Sequence, residues 1–196
     1  MPIDRSRTSA LMDQASSGDD AAFGALAAAV QDELFRLALA NGLRREDAAE
    51  ATQETLLRAY SGRAAWHRGR DATAWLCGIA MNVVREALRK GRRRVWPGAG
   101  GNAALGELTA ADTAGEPQRD PGQLWRLREA IAGLPARQRE AIACRYLREM
   151  SIRQTAEVMG CAEGTVKSAV SAALEKLRTI LKSTDDCEIS RPPLGR

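Results

Sequence analysis

Apolar positions recur along this chain at three- and four-residue intervals, the spacing of helices with one buried face. Phe23, Leu26, Val30, Leu34 and Leu37 follow it over a helix capped by Asp19 or Asp20 and ended at Asn41-Gly42. A second helix is expected from about Glu46 to Tyr60, with Ala49, Thr52, Leu56 and Ala59 inward and Asp47, Glu50, Gln53, Glu54 and Arg58 outward. A third, about Ala72 to Lys90, places Trp75, Ile79, Val83 and Ala87 on one stripe, widened by Leu76 and Ala80. Residues 61–71 between them read as a loop of small and basic residues around Trp66 and His67. Residues up to about Ser17 read as a frayed lead-in.

From Val95 to Gly122 glycine, alanine and proline dominate and no stripe persists, as in a flexible linker. Two helical units are therefore expected, each packed on itself and free to move relative to the other. Beyond the linker, Leu124, Leu127 and Ile131 mark a short helix that Leu134-Pro135 breaks. Another is expected from Ala136 to Leu147, with Ile142 and Tyr146 inward and Arg137, Arg139, Arg145 and Arg148 mostly outward. Ser151 with Gln154 is a capping-box start for a helix over about Ile152 to Val158, which Gly160 stops. The last helix begins near Ala162 and turns Val166, Val170, Ala173, Leu174, Leu177 and Leu181 inward. Its opposite face carries Gly164, Ser168, Ser171, Ala172 and Glu175, flanked by Thr165 and Lys167. A short helix, a glycine turn and a helix with a small polar outer face form the helix-turn-helix plan, whose second helix enters the major groove; a plain helical hairpin is the competing reading. The expectation is an all-α chain: a flexible lead-in at 1–18, helical domains at 19–94 and 123–182, a linker at 95–122 and a tail at 183–196.

Composition narrows the function. The 196 residues are 44% hydrophobic and 28% charged, with no apolar run approaching a membrane span, so no membrane insertion is expected. The N-terminal stretch has no apolar signal core, which predicts a cytoplasmic protein. Cys77, Cys144, Cys161 and Cys187 form no CxxC pair and His67 is the lone histidine, so a zinc site is not expected and the thiols read as small buried hydrophobes. Paired carboxylates at acid/base spacing, a nucleophile–base pair and a cofactor loop are all missing, so neither an enzyme nor a cofactor is expected. The net charge of +4 is modest, but Arg85, Arg89, Lys90, Arg92, Arg93 and Arg94 fall within ten residues against one acid, Glu86. Such a block fits a phosphate footprint, or else a solvated helix end favoured by the dipole. Trp66, flanked by Arg63, Arg68 and Arg70, could stack on an unpaired base or plug the domain core.

In their order these segments resemble the sigma factors of bacterial RNA polymerase, specifically the small extracytoplasmic-function (ECF) group. DAAEATQETLLRAY (Asp47–Tyr60) looks like the polymerase-clamp-binding helix. TAWLCGIAMNVVREALRKGRRR (Thr73–Arg94) looks like the minus-ten promoter helix, and LPARQREAIACRYLREMSIRQTAEVMGCAEGTVKSAV (Leu134–Val170) like the minus-thirty-five domain. The resemblance implies that Asp47, Glu50, Gln53 and Glu54 dock on core polymerase, whose clamp and flap would be the contacted parts. It implies that Arg63, Trp66, His67, Arg68 and Arg70 with Asn82, Arg85 and Arg89 hold the minus-ten element, and Arg92, Arg93 and Arg94 its phosphates. Thr165, Lys167, Ser168, Ser171 and Ala172 would face the minus-thirty-five groove, with Arg153 and Arg178 on phosphates. The linker would thread toward the polymerase channels, and an anti-sigma protein would be a further partner.

Some positions depart from the family pattern. Glu50 stands where aspartate is usual, Gln154-Thr155-Ala156 replaces Glu-Ile-Ala, Ala162 removes a serine-type cap, and Ala172 stands where an arginine commonly sits. Arginine is the best bidentate reader of guanine, so minus-thirty-five recognition here is expected to lean on backbone contacts and DNA shape. The competing function is a two-domain helix-turn-helix regulator that binds DNA without polymerase; a second basic surface at 85–94 argues against it.

Overall fold

The computed structural model of the chain describes residues 4–94 and 121–189, without the side chains of 92–94, 121–125, 128 and 183–189. Asp4 accepts the N–H groups of Ser6 and Arg7 at 3.0 and 3.1 Å and starts α1, Arg5–Ser16. The expected frayed lead-in is thus a helix, which buries Thr8, Met12 and Ala15. Three inward positions among polar neighbours make too sparse a stripe to stand out in the sequence. Asp19 then accepts the N–H of Ala22 at 3.0 Å and caps α2, Asp20–Ala40, whose Phe23, Leu26, Val30, Leu34 and Leu37 are all buried. Asn41 ends it, and Gly42 turns the chain at φ 97.

The next helix, α3, spans Arg45–Gly62 and buries Ala48, Ala51, Thr52, Thr55 and Ala59. Ala49 is exposed, so the inward stripe starts one residue earlier than expected. The Thr52 and Thr55 hydroxyls donate to the carbonyls of Ala48 and Ala51 at 2.8 and 2.6 Å, which satisfies them inside the core. After a 3-10 turn at Arg63–Ala65, α4 covers Ala72–Arg94. It buries Leu76, Cys77, Ala80, Met81, Val83 and Val84, leaving Trp75, Ile79 and Ala87 at the edge of the buried face.

The second unit comprises α5, Pro121–Ala132, α6, Ala136–Ile142, α7, Ile152–Met159, and α8, Glu163–Ile189. The expected linker lies outside the described residues up to 120. The helix expected from Ala136 to Leu147 changes at Ala143–Leu147 into a π-helical turn. That wider turn rotates the residues at its end relative to α-helical spacing. Tyr146, expected inward, is therefore 57% exposed and Leu147 beside it 51% exposed, while Arg148, expected outward, is buried. The capping box at Ser151 and Gln154 forms in both directions, at 3.1 and 2.9 Å. Gly160 closes α7 in the left-handed region at φ 61, and the Cys161 N–H reaches back to Ala156 O at 3.0 Å. Val166, Ala173 and Leu177 then seat α8 against Leu134, Ala141, Ile142 and Met159.

The two units do not pack separately. Ala143, Cys144, Met150 and Val158 of the second join Met12, Leu37, Trp66, Cys77 and Met81 of the first in one buried cluster. Units this small cannot bury all their apolar surface alone, and the leftover faces cover one another. Polar links stitch the seam: Arg148 pairs with Glu33, Arg85 with Glu140, and Gln154 donates to Asp71 at 2.7 Å. Arg5 on α1 spans both units, pairing with Asp71 at 3.3 Å and donating to the Arg148 carbonyl.

Candidate nucleic-acid interface

The outer face of α8 is dictated by its inner one. With Val166, Ala173 and Leu177 inward, helical geometry sends Thr165, Lys167, Ser168, Ser171, Ala172 and Arg178 to the exposed side. Ser168 Oγ donates to Gly164 O at 3.0 Å, folding the hydroxyl onto its own helix. Arg153, on α7, is exposed and lies 3.3 Å from Glu157 one turn on. The result is a narrow rod of small polar side chains with cations at its margins. Such a rod can enter a groove while the cations meet phosphates.

The loop between α3 and α4 is tied down from α1 and α2. Trp66 is 7% exposed, packs edge-on against Trp75 at 5.5 Å and donates from Nε1 to Asp13 at 2.7 Å. Of its two readings the core plug holds, and the ring offers no free face to a base. Arg63 lies over the Tyr60 ring at 3.7 Å and bonds Tyr60 O and Asp20 at 2.8 and 3.2 Å. Arg68 reaches Ser17 Oγ at 2.5 Å, and His67, Arg68 and Arg70 are exposed.

On α4, Asn82, Arg85 and Arg89 follow three- and four-residue steps and share a face. Asn82 and Arg89 are exposed. Arg85 is not free: it donates to Asn82 at 2.8 Å, to Val158 O at 3.3 Å and to Glu140. Arg92, Arg93 and Arg94 lie in the last turn of α4, and the phosphate contacts expected of them fall on side chains outside those described.

A third surface lies on α3. Asp47, Glu50 and Gln53 are exposed, and half-exposed Glu54 accepts from Arg58 at 2.7 Å. Arg58 also grips Glu86 at 2.8 and 3.1 Å, and these bonds hold the Glu86 carboxyl below its usual range. Leu57 stands 63% exposed on the turn after Gln53 and Glu54 and was missed in the sequence. Its signal was the Leu56-Leu57 pair: one of two adjacent leucines on a one-sided helix must face out.

Burial pushes the Cys77 thiol up to about 12 and raises that of Cys144 as well, the behaviour of inert core thiols. No helix among the described residues is long and apolar enough to cross a membrane.

Comparison with known proteins matches two stretches of the chain to family regions. Residues 26–94 match Sigma-70 region 2 and residues 124–177 match Sigma-70, region 4. The chain is 30% identical over 186 residues to the ECF RNA polymerase sigma factor BldN of Streptomyces coelicolor, covering 91% of this chain and 67% of that one. It is 33% identical over 156 residues to the ECF RNA polymerase sigma factor EcfG of Rhodopseudomonas palustris, covering 80% and 82%. The fold is similar to that of the sigma factor RpoE from Bartonella quintana, solved with the anti-sigma factor NepR. There the TM-score is 0.60 at 28% identity, over 78% of this chain and 92% of that one.

Proposed function

This chain belongs to the extracytoplasmic-function group of sigma-70 family sigma factors, an alternative sigma factor, and on that premise we propose how its surfaces divide the work. The α3 face of Asp47, Glu50, Gln53 and Glu54 docks on core RNA polymerase at its clamp, and the second unit reaches the flap. An acidic face suits a basic partner surface, whose charge it neutralises on docking. The loop at Arg63, His67, Arg68 and Arg70 and the α4 face at Asn82, Arg85 and Arg89 hold the minus-ten element as the duplex opens. Arg92, Arg93 and Arg94 hold its backbone. Thr165, Lys167, Ser168, Ser171 and Ala172 enter the minus-thirty-five groove, with Arg153 and Arg178 on phosphates. The chain acts in the cytoplasm and catalyses nothing itself; RNA synthesis belongs to the polymerase. An anti-sigma protein is the regulatory partner, in keeping with the complex in which the Bartonella relative was solved.

The observation that carries this proposal is the continuous exposed face of α8, seated on a capping-box helix and a left-handed glycine turn. Run-off transcription with purified core polymerase on pooled genomic promoters tests it. Defined transcripts that require the chain, and vanish on replacing Gln53 and Glu54 by alanine, are the expected result. DNA binding by the chain alone, with no such transcripts, favours the conventional regulator.

A further inference from the structure

Toward the basic end of α4 one carboxylate stands among cations. Glu86 lies one turn before Arg89 and Lys90, at the three- and four-residue steps that bring helix side chains together, and both cations are exposed. A glutamate four residues ahead of a lysine is the favoured orientation for a pair within one helix. Among the described residues, however, the ion pair of Glu86 is with the neighbouring helix. Arg58 Nη1 donates to Glu86 Oε1 at 3.1 Å and Nη2 to Oε2 at 2.8 Å, a two-pronged contact from α3 to α4. Its remaining Nε donates to Glu54 at 2.7 Å, so a carboxylate one turn back on α3 aims the fork. The hydrogen bonds from Arg58 come first in holding the Glu86 carboxyl low, ahead of the charges of Arg89 and Lys90. We propose that Arg58 is a positioning residue for promoter DNA: by occupying Glu86 it keeps that carboxylate from capturing Arg89 and Lys90, whose charges stay available to phosphates of the minus-ten strand. The proposal rests on the reading of this α4 face as a DNA surface.

The chemistry of the competition is simple. A carboxylate and a phosphate present the same kind of acceptor oxygens to a cation. Left without Arg58, Glu86 would compete with the strand for the donors nearest to it. A guanidinium fork answers both carboxylate oxygens at once, which the point charge of a lysine does not. The pair is 40% exposed on the Arg58 side and 35% on the Glu86 side. Ion pairs so open to water add little to stability, and what this one changes is where the negative charge of Glu86 is spent. Glu54 belongs to the α3 face proposed to dock on polymerase, so the same guanidinium stands between the two proposed binding surfaces.

The test is a double-mutant cycle in the full chain, read by fluorescence anisotropy of a fluorescein-labelled single-stranded oligonucleotide of mixed sequence over a range of salt. Arg58→Met keeps the apolar stem and removes the fork. It is expected to flatten the slope of log K against log salt by about 0.7, the loss of one phosphate contact on a single strand, and so to weaken binding about fivefold at 0.1 M salt. Glu86→Gln in the wild-type chain should leave affinity within about twofold, the scale of an exposed charge that is already paired. In the Arg58→Met chain the same change should restore what was lost. Net charge alone would give Glu86→Gln an equal effect in both backgrounds. Such equality, or an Arg58→Met chain that binds like the wild type, overturns the proposal. Arg89→Ala in the wild-type chain keeps the underlying reading separate: if it costs no binding, the DNA surface is misplaced and the proposal falls with it. Should circular dichroism show that Arg58→Met has lost helix, Arg58→Gln takes its place in the cycle.

Discussion

The carboxylate of Asp13 accepts a hydrogen bond from the Trp66 indole nitrogen at 2.7 Å, fastening α1 to the loop before α4. The bond decides what the loop can do, because it fixes Trp66 in the core and leaves the basic residues around it at the surface. Leaving the buried N–H unpaired costs about 1–3 kcal/mol. Asp13→Ala is therefore expected to lower the unfolding free energy by that amount, while Asp13→Asn, which keeps a carbonyl acceptor, retains most of it. Thermal melts of the two variants decide the matter: equal melting points would mean the bond contributes nothing.

Helices α2, α7 and α8 were legible in the sequence because their signals are local: a 3.6-residue stripe, an aspartate or serine cap, a glycine stop. The α8 face was legible for the same reason, since inside positions dictate outside ones. What escaped was non-local. Helix α1 is held by Met12, Ala15 and a tryptophan fifty-three residues away, not by a stripe of its own. The π-helical turn leaves no periodic mark, yet it moved Tyr146 out and Arg148 in. Arg85 carries no sign in the sequence that its partner would be Glu140, fifty-five positions on.

The stop of α7 should be sensitive to both of its ends. Gly160 sits at φ 61, where an L side chain costs about 1–2 kcal/mol. Ser151 accepts the Gln154 N–H at 3.1 Å, a cap worth about 1 kcal/mol. Gly160→Ala and Ser151→Ala are each expected to lower the urea midpoint, the first by more. A reversed order would show that the turn is not the stricter requirement.

Leu57 offers apolar area beside the acidic groups of α3, where a polymerase surface is proposed to dock. An exposed leucine contributes little to the folded chain alone. Leu57→Ala is thus expected to leave the melting point within about 1 °C, on the scale that relates free energy to melting temperature. It should also weaken capture of the chain by immobilised core polymerase. Full capture by the variant would place Leu57 outside the interface.

The thiols give a readout of the seam. With its pKa near 12, Cys77 is ionised to only about one part in ten thousand at pH 8, and Cys144 is shifted the same way by burial. Iodoacetamide should therefore modify half-buried Cys161 well before either of them in the native chain. Cys144 lies in the cluster shared by the two units, so Glu33→Gln with Glu140→Gln should speed its alkylation. Site-resolved mass spectrometry follows each thiol separately, and a Cys144 rate untouched by those changes would mean the seam stays shut.

The outer face of α8 presents a methyl group at Ala172, between Ser168 and Glu175 on the exposed side. Alanine can touch a thymine methyl but cannot donate to a guanine edge, and a good bidentate arginine contact is worth about 1–3 kcal/mol of discrimination. Lys167, in the groove, is a point charge and not a bidentate fork, and Arg153 and Arg178 suit phosphates, which position the helix without reading sequence. Binding to the minus-thirty-five element should therefore be steeply salt-dependent and tolerant of single base changes, with preference set by groove shape. Ala172→Arg adds a donor at an exposed position and leaves the buried Val166, Ala173 and Leu177 untouched. It is expected to sharpen discrimination at one base pair by about fivefold at the low end of that range and by about a hundredfold at the high end. Anisotropy titrations over a panel of singly mutated duplexes measure this. A wild-type chain that already discriminates as sharply as the arginine variant would show that small side chains, not shape, read the bases.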